Sequence, residues 1–257
     1  MCPQELENGT VYHGQWNRES KEKHGFGILL WKDGSKYEGH WREDKANGYG
    51  RLIHADGSYY VGEWVDFQAN GKGFYEHANG ATYQGDWKDD KQHGQGLEKW
   101  PEGSGSTYEG NFFRGMKHGR GSFKWSDGAS FYGECLNNQI TGKGFYKWID
   151  GRIYNGMWYN NKMHGKGIFS WPDGRKFIGH YENDKKEGYG EMYWPDGRAY
   201  KGEWTDGVQN GIGTLKQVSG QEKKGEWRHG KRFRWIKNSP ENGCTGAEQG
   251  EDNGGEE

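Results

Sequence analysis

Along most of this chain, aromatic and polar residues alternate in short runs separated by glycine-containing turns. In DGSKYEGHW, residues 33–41, Tyr37, Gly39 and Trp41 share one face of a strand while Glu38 and His40 share the other. The pattern Y-x-G-x-W recurs at Tyr12/Gly14/Trp16, Tyr60/Gly62/Trp64, Tyr83/Gly85/Trp87, Tyr108/Gly110/Phe112, Tyr154/Gly156/Trp158 and Tyr200/Gly202/Trp204. Weaker copies are Phe131/Gly133/Cys135, Phe177/Gly179/Tyr181 and Lys223/Gly225/Trp227, and the spacing is 23 residues with two intervals of 25. Between copies lies G-x-G, usually preceded by His or Asn as in His24-Gly25-Phe26-Gly27, and then Asp-Gly or a variant, as at Asp33-Gly34 and Asp173-Gly174.

These parts predict a hairpin: a strand G-x-G-x-x-x-W, a turn, and a strand Y-x-G-x-W. Asp-Gly is a strong signal for a type I′ turn, which needs positive φ at both central residues. Nine complete hairpins follow, from Gly25–Trp41 to Gly211–Trp227, with half units at Tyr12–Trp16 and Gly230–Trp235. Polar connectors of about six residues, such as Arg42 to Asn47, join them, a usual loop length. Alternation places Leu29/Trp31, Phe123/Trp125, Tyr146/Trp148, Phe169/Trp171 and Met192/Trp194 on the glycine face, which is aromatic, and leaves the opposite face mostly solvated. Glycine in a strand interior is a cost, so its repetition implies rings that lie down over it. Each hairpin buries its rings only against its neighbours. The expected fold is all-β, an elongated single-layer twisted antiparallel meander, with residues 1–11 as lead-in, 12–237 as repeat array and 238–257 as an acidic disordered tail.

Composition agrees with a fold built on rings. Hydrophobic residues are only 30% and mean hydropathy is -1.26, yet 14 Trp and 47 Gly are present. That aromatic content excludes simple disorder. No stretch approaches a membrane span and the start lacks a signal-peptide pattern, so a soluble cytoplasmic chain is expected. Cys2, Cys135 and Cys244 are scattered, without a disulfide or zinc pattern, and the sequon at Asn8 is then idle.

The combination of Y-x-G-x-W, H-G-x-G and Asp-Gly at a period of 23, from Tyr12 to Trp235, resembles the MORN (membrane occupation and recognition nexus) repeat family. The resemblance implies a twisted meander forming a trough. Members occur in junctophilins, in plant phosphatidylinositol phosphate kinases, in ciliary radial spoke heads and in cytoskeletal scaffolds. A standalone array without a catalytic domain is similar to the scaffold members.

No grouping of nucleophile, base and orienting residue is recognisable, so an enzyme is not expected; no catalytic, cofactor or metal residue is assigned. His24, His93, His118, His164 and His229 recur in one slot, but neighbouring slots lie about 10 Å apart, too far to share a zinc ion. Recurrent G-x-G lacks the Lys and Ser/Thr of a phosphate loop and reads as packing glycine. Candidate anchors for a protein partner, such as a helical segment in the trough, are Tyr37, Trp41, Trp64, Tyr83, Trp87 and Trp158, although packing over the glycines consumes part of such a set. Lys223, Lys224, Arg228, Lys231, Arg232, Arg234 and Lys237 form a basic cluster that either contacts acidic lipids or an acidic partner, or blunts the exposed edge strand. Six acids in 238–257 leave the repeat body net positive. The leading expectation is a noncatalytic scaffold in a ciliary axoneme or cortical cytoskeleton, with self-association possible through the sheet ends. The alternatives are a peripheral membrane adaptor for phosphoinositides and a regulatory subunit of a lipid kinase; no nucleic-acid partner is expected.

Overall fold

The computed structural model describes residues 3–6, 9–101 and 103–236. They form one open 21-stranded antiparallel sheet without a helix among the described residues. It is a meander: each strand pairs with its sequence neighbours, from β1 (Gln4–Glu5), β2 (Val11–Trp16), β3 (Lys23–Leu30), β4 (Lys36–Arg42) and β5 (Lys45–Ile53) onward to the last strands, Glu222–Arg228 and Lys231–Trp235. The expected all-β array is therefore present. The expected acidic tail at 238–257, and Cys2, Asn8, Cys244 and Lys237, lie outside the described residues.

Two kinds of turn alternate, and their roles are the reverse of those the dipeptides suggest. Between Arg42 and Lys45 the chain reverses in two residues, Glu43 (φ 51°) and Asp44 (φ 62°). This double left-handed conformation is the type I′ geometry, and it recurs at Asp66-Phe67, Asn137-Asn138, Asn160-Asn161 and Asn183-Asp184. The six-residue connectors thus shrink to two, and strands such as β5 take up the remainder. At Asp33-Gly34 only the glycine is left-handed (φ 91°). There the Gly34 N–H donates to the Trp31 carbonyl at 3.1 Å, and the Asp33 carboxylate accepts the Ser35 N–H at 2.9 Å. An Asx-type bond of this sort stabilises a longer turn as readily as a tight one. Pairing of Gly27 with Gly39 across the turn fixes its length.

The two glycines of G-x-G also divide their work. Trp41 pairs with Ala46 while Gly39 pairs with Gly50, so β5 carries extra residues and bulges at Gly48, whose φ is 95°. The first glycine is therefore a backbone requirement, a correction to reading both as packing glycines. In several units the side chain before the tryptophan takes up the N–H that the bulge frees: Glu63 accepts from Lys72 at 3.0 Å, Asp86 from Gln95 at 2.9 Å and Gln15 from Phe26 at 2.9 Å.

The second glycine makes room for a ring. Tyr37 lies across Gly39 of its own strand and Gly50 of the next; a Cβ at either would stand 2.6 Å from its hydroxyl oxygen or Cζ. Its hydroxyl donates to the His40 carbonyl at 3.1 Å. Trp41 then meets Tyr37 edge-on at 5.1 Å and Tyr12 of the preceding unit at 5.4 Å, and its ring N–H donates to the Gly27 carbonyl at 3.1 Å. Such edge-to-face pairs contribute about 0.5–1.5 kcal/mol each beyond burial. Trp64 repeats the clasp against Tyr60 and Tyr37, and Trp204 against Tyr200 and Phe177. Each tryptophan fastens its unit to the one before.

Phe131 and Cys135 are buried in the equivalent places, and strand pairing runs through them in the usual register. Phe131 has no hydroxyl to donate and Cys135 no ring N–H, so this unit lacks both side-chain clasps. Amide exchange across 131–141 is expected to be faster than in the units at Tyr108 and Tyr154, and Phe131→Tyr to slow it by about 0.5–1.5 kcal/mol of protection; uniform exchange across the three units would refute this. At Gly62, a Cβ would stand 2.5 Å from the Lys72 carbonyl and the Tyr60 hydroxyl. Gly62→Ala is expected to cost about 1–3 kcal/mol in denaturant unfolding, as overpacking does, and an unchanged midpoint would show that the ring can move aside.

Candidate interaction surface

The stack that holds the sheet together also decides which rings a partner can reach. Tyr37, Trp41, Trp64, Tyr83 and Trp158 have relative exposures of 0–7%, closed off by their own neighbours. Trp87 is half-buried; its ring N–H, unlike those of Trp41 and Trp64, finds no acceptor. Burial pushes the Tyr37 and Tyr83 phenols far above their ordinary range and the Cys135 thiol up to about 11, leaving these groups chemically quiet.

A different set of rings reaches solvent on the same face. Tyr146 lies between Trp125 at 5.2 Å and Trp148 at 4.4 Å, and Phe169 between Trp148 at 5.3 Å and Trp171 at 4.5 Å. Trp125, Trp148, Trp171 and Trp194 all begin the Asp-Gly turns, are half-buried, and form a ladder along one rim. Arg152, Arg175 and Arg198 lie over Trp148, Trp171 and Trp194 at 5.3–5.5 Å and pair with Asp150, Asp173 and Asp196 of the same turns at 2.6–2.7 Å. The signal was legible in the recurrence of W-x-D-G-R, which marks both the turn and its exposed ring. In the amino-terminal half, His54 and His77 replace tryptophan on the rim. An open groove of about 670 Å³ results, lined by Leu52, Tyr75, Trp87 and both histidines among others.

The opposite face is less polar than alternation suggests. Val61 and Phe74 are cross-strand neighbours there, as are Tyr132 and Phe145 and, further on, Ile168 and Ile178. Open grooves of about 630 and 520 Å³ lie over the first and last of these pairs.

The histidine slot is filled by ring contacts: His93 and His118 flank Phe113 at 5.3 and 5.6 Å, and His164 meets Tyr159 at 5.8 Å. Among the described residues no group of three or more His, Cys, Asp or Glu is arranged to hold a metal.

Folding splits the basic cluster. Arg228 and Arg234 both pair with Glu226, at 2.8 and 2.7 Å, and Arg228 lies 3.7 Å from the centre of the Phe233 ring. Lys223 and Arg232 instead approach Trp235, at 5.7 and 4.4 Å. Register sets these two groups on opposite faces of the terminal hairpin, with Arg232 opposite Trp227 and Arg234 opposite Glu226.

Lys186 occupies a cage that sequence reading missed. Its ammonium lies 4.7 Å from Trp204, 5.0 Å from Phe177 and 5.4 Å from Trp171. Lys23 and Lys117 hold the same place in other units but pair with Asp44 and Glu98, whereas Lys186 has no carboxylate partner among the described residues. Burial, with Arg175 nearby, pushes Lys186 down to about 8. The unfolded chain then binds the proton more tightly, so stability rises with pH between about 8 and the ordinary lysine value. Lys186→Met is expected to be more stable than the parent by about 1–3 kcal/mol below pH 8, with the difference closing as pH rises; a pH-independent difference in thermal unfolding would contradict this.

A family model described as MORN repeat matches residues 12–36, 37–59, 60–82, 83–105, 108–130, 131–151, 154–174, 177–197 and 200–222. No curated protein matches the chain significantly in sequence. Among solved structures, a mutant TCP10 domain of Danio rerio CPAP is similar at 11% identity and TM-score 0.34, covering 93% of this chain and 100% of that one. The TCP domain of SAS-4 (dCPAP) in complex with a proline rich motif of Ana2 (dSTIL), from Drosophila melanogaster, is similar at 12% identity and TM-score 0.36, covering 70% and 90%. Likeness at these scores carries no functional argument.

Proposed function

This chain belongs to the MORN repeat family, and on that premise we propose that it is a noncatalytic scaffold that holds a protein partner along the aromatic face of its sheet. The observation that carries this reading is the solvent-facing ladder of Trp125, Trp148, Trp171 and Trp194. Half-buried tryptophans, of which Trp125, Trp148 and Trp171 pack against Tyr146 and Phe169, offer large contact area at little entropic cost on binding. The reading moves the anchors from the buried stack to the rim, with Trp87 in the amino-terminal groove as the member of the original set that stays accessible. Placement in a ciliary axoneme or cortical cytoskeleton belongs to the same proposal and is supported by the family's radial spoke head and cytoskeletal members.

Membrane adaptation through the basic end is the weaker reading, because Arg228 and Arg234 share Glu226 and the remaining cations are divided between two faces. Affinity purification of the full chain and of Trp148→Ala/Trp171→Ala, with circular dichroism as a control for folding, tests the scaffold reading. A specific protein partner is expected with the parent and at least a tenfold smaller yield, about 1.4 kcal/mol of affinity, with the folded variant. An equal yield would overturn the placement of the site, and binding of acidic vesicles that fades with salt, without any protein partner, would favour the membrane reading.

A further inference from the structure

We propose that the ladder Trp125–Trp148–Trp171–Trp194 is a docking site for a partner segment in the polyproline II conformation, with proline at every third residue and no net charge. The inference rests on the scaffold reading and names the class of partner for that surface.

Three features of the ladder converge on this occupant. The first is pitch. Successive ladder residues are separated by two strands, or about 9.6 Å, in keeping with the ring-to-ring steps through Tyr146 and Phe169. A polyproline II helix repeats every three residues, about 9.3 Å, so a proline stays over each tryptophan with a mismatch of about 0.3 Å per step. An α-helix offers the same face every seven residues, about 10.5 Å, and drifts about three times as fast; a β-strand repeats at about 6.8 Å and does not match. A proline-rich segment therefore keeps step with the ladder over a longer span than a helical segment does.

The second is hydrogen bonding. Trp41, Trp64, Trp158 and Trp204 donate their ring N–H groups to the carbonyls of Gly27, Gly50, Gly144 and Gly190. The four ladder tryptophans have no acceptor among the described residues, and their ring nitrogens are not buried. A polyproline II segment makes no internal hydrogen bonds and presents its carbonyls outward, so a row of free, regularly spaced donors is the complement it lacks. The third is charge. Arg152, Arg175 and Arg198 are neutralised by the aspartates of their own turns, and the unpaired Lys186 is balanced by Asp127, which has no cationic partner among the described residues. The charges along the ladder thus cancel, which favours a segment without net charge.

The test uses the full chain and two synthetic peptides of equal composition, rich in proline and glutamine and about twelve residues long, enough to span the ladder at about 3.1 Å per residue. One carries proline at every third position and the other at irregular intervals. Titration followed by tryptophan fluorescence and calorimetry is expected to show the regular peptide binding at least tenfold more tightly. Trp148→Phe/Trp171→Phe, which keeps the rings and removes the donors, is expected to weaken that binding at least fivefold without changing the unfolding midpoint. Equal affinity for the two peptides, no binding of either, or indifference to the phenylalanine variant would each overturn the proposal. The scaffold reading fails separately, through a pull-down that Trp148→Ala/Trp171→Ala leaves unchanged.

Discussion

A tyrosine ring lying flat over two glycines on adjacent strands is the contact on which the rest of this sheet depends. Tyr37 reaches Gly39 and Gly50, Tyr154 reaches Gly156 and Gly167, and Phe131 and Phe177 occupy the same place without the hydroxyl. Once the ring is down, the next tryptophan meets it edge-on, as Trp41 and Trp64 meet Tyr37. The core is therefore built within one layer, ring upon ring, rather than between two layers as in a sandwich.

This construction sorts tryptophans into two populations with opposite chemistry. Those in Y-x-G-x-W are clamped between tyrosines and spend their N–H groups on backbone carbonyls, as Trp41 and Trp204 do. Those that open the Asp-Gly turns rest against the stack, three of them under Arg152, Arg175 and Arg198, and keep a ring donor toward solvent. The tryptophans that hold the sheet and those that reach solvent are thus different residues of one type, because the turn places the second set beyond the strand that holds the first.

Open sheets must also deal with their edges. Here the terminal strand, Lys231–Trp235, carries Lys231, Arg232 and Arg234; Arg232 lies over Trp235, and Glu226 of the neighbouring strand pairs with Arg234 and with Arg228, which lies over Phe233. Membership of the MORN repeat family agrees with a long surface given over to binding. The grooves on the second face, at Val61 and Phe74 and at Ile168 and Ile178, mean that contact surface is not confined to the tryptophan side.

The period of 23 residues, the antiparallel hairpin and the aromatic face were all determined by sequence alone, since a repeated strand with alternating faces leaves a periodic trace in composition. The packing role of the second glycine was legible for the same reason: only a steric need explains its recurrence in Y-x-G-x-W. Which turn is tight was not, because Asp-Gly suits both geometries and the choice fell to the pairing of Gly27 with Gly39 and of Gly39 with Gly50. Nor was the bulge at Gly48, which exists only as a mismatch between two strands. The rings that look most like anchors in the sequence, Tyr37, Trp41, Trp64, Tyr83 and Trp158, became the core, and accessibility passed to the turn tryptophans. Exposure is a property of neighbours from adjacent units, and only the stacked sheet brings those neighbours together.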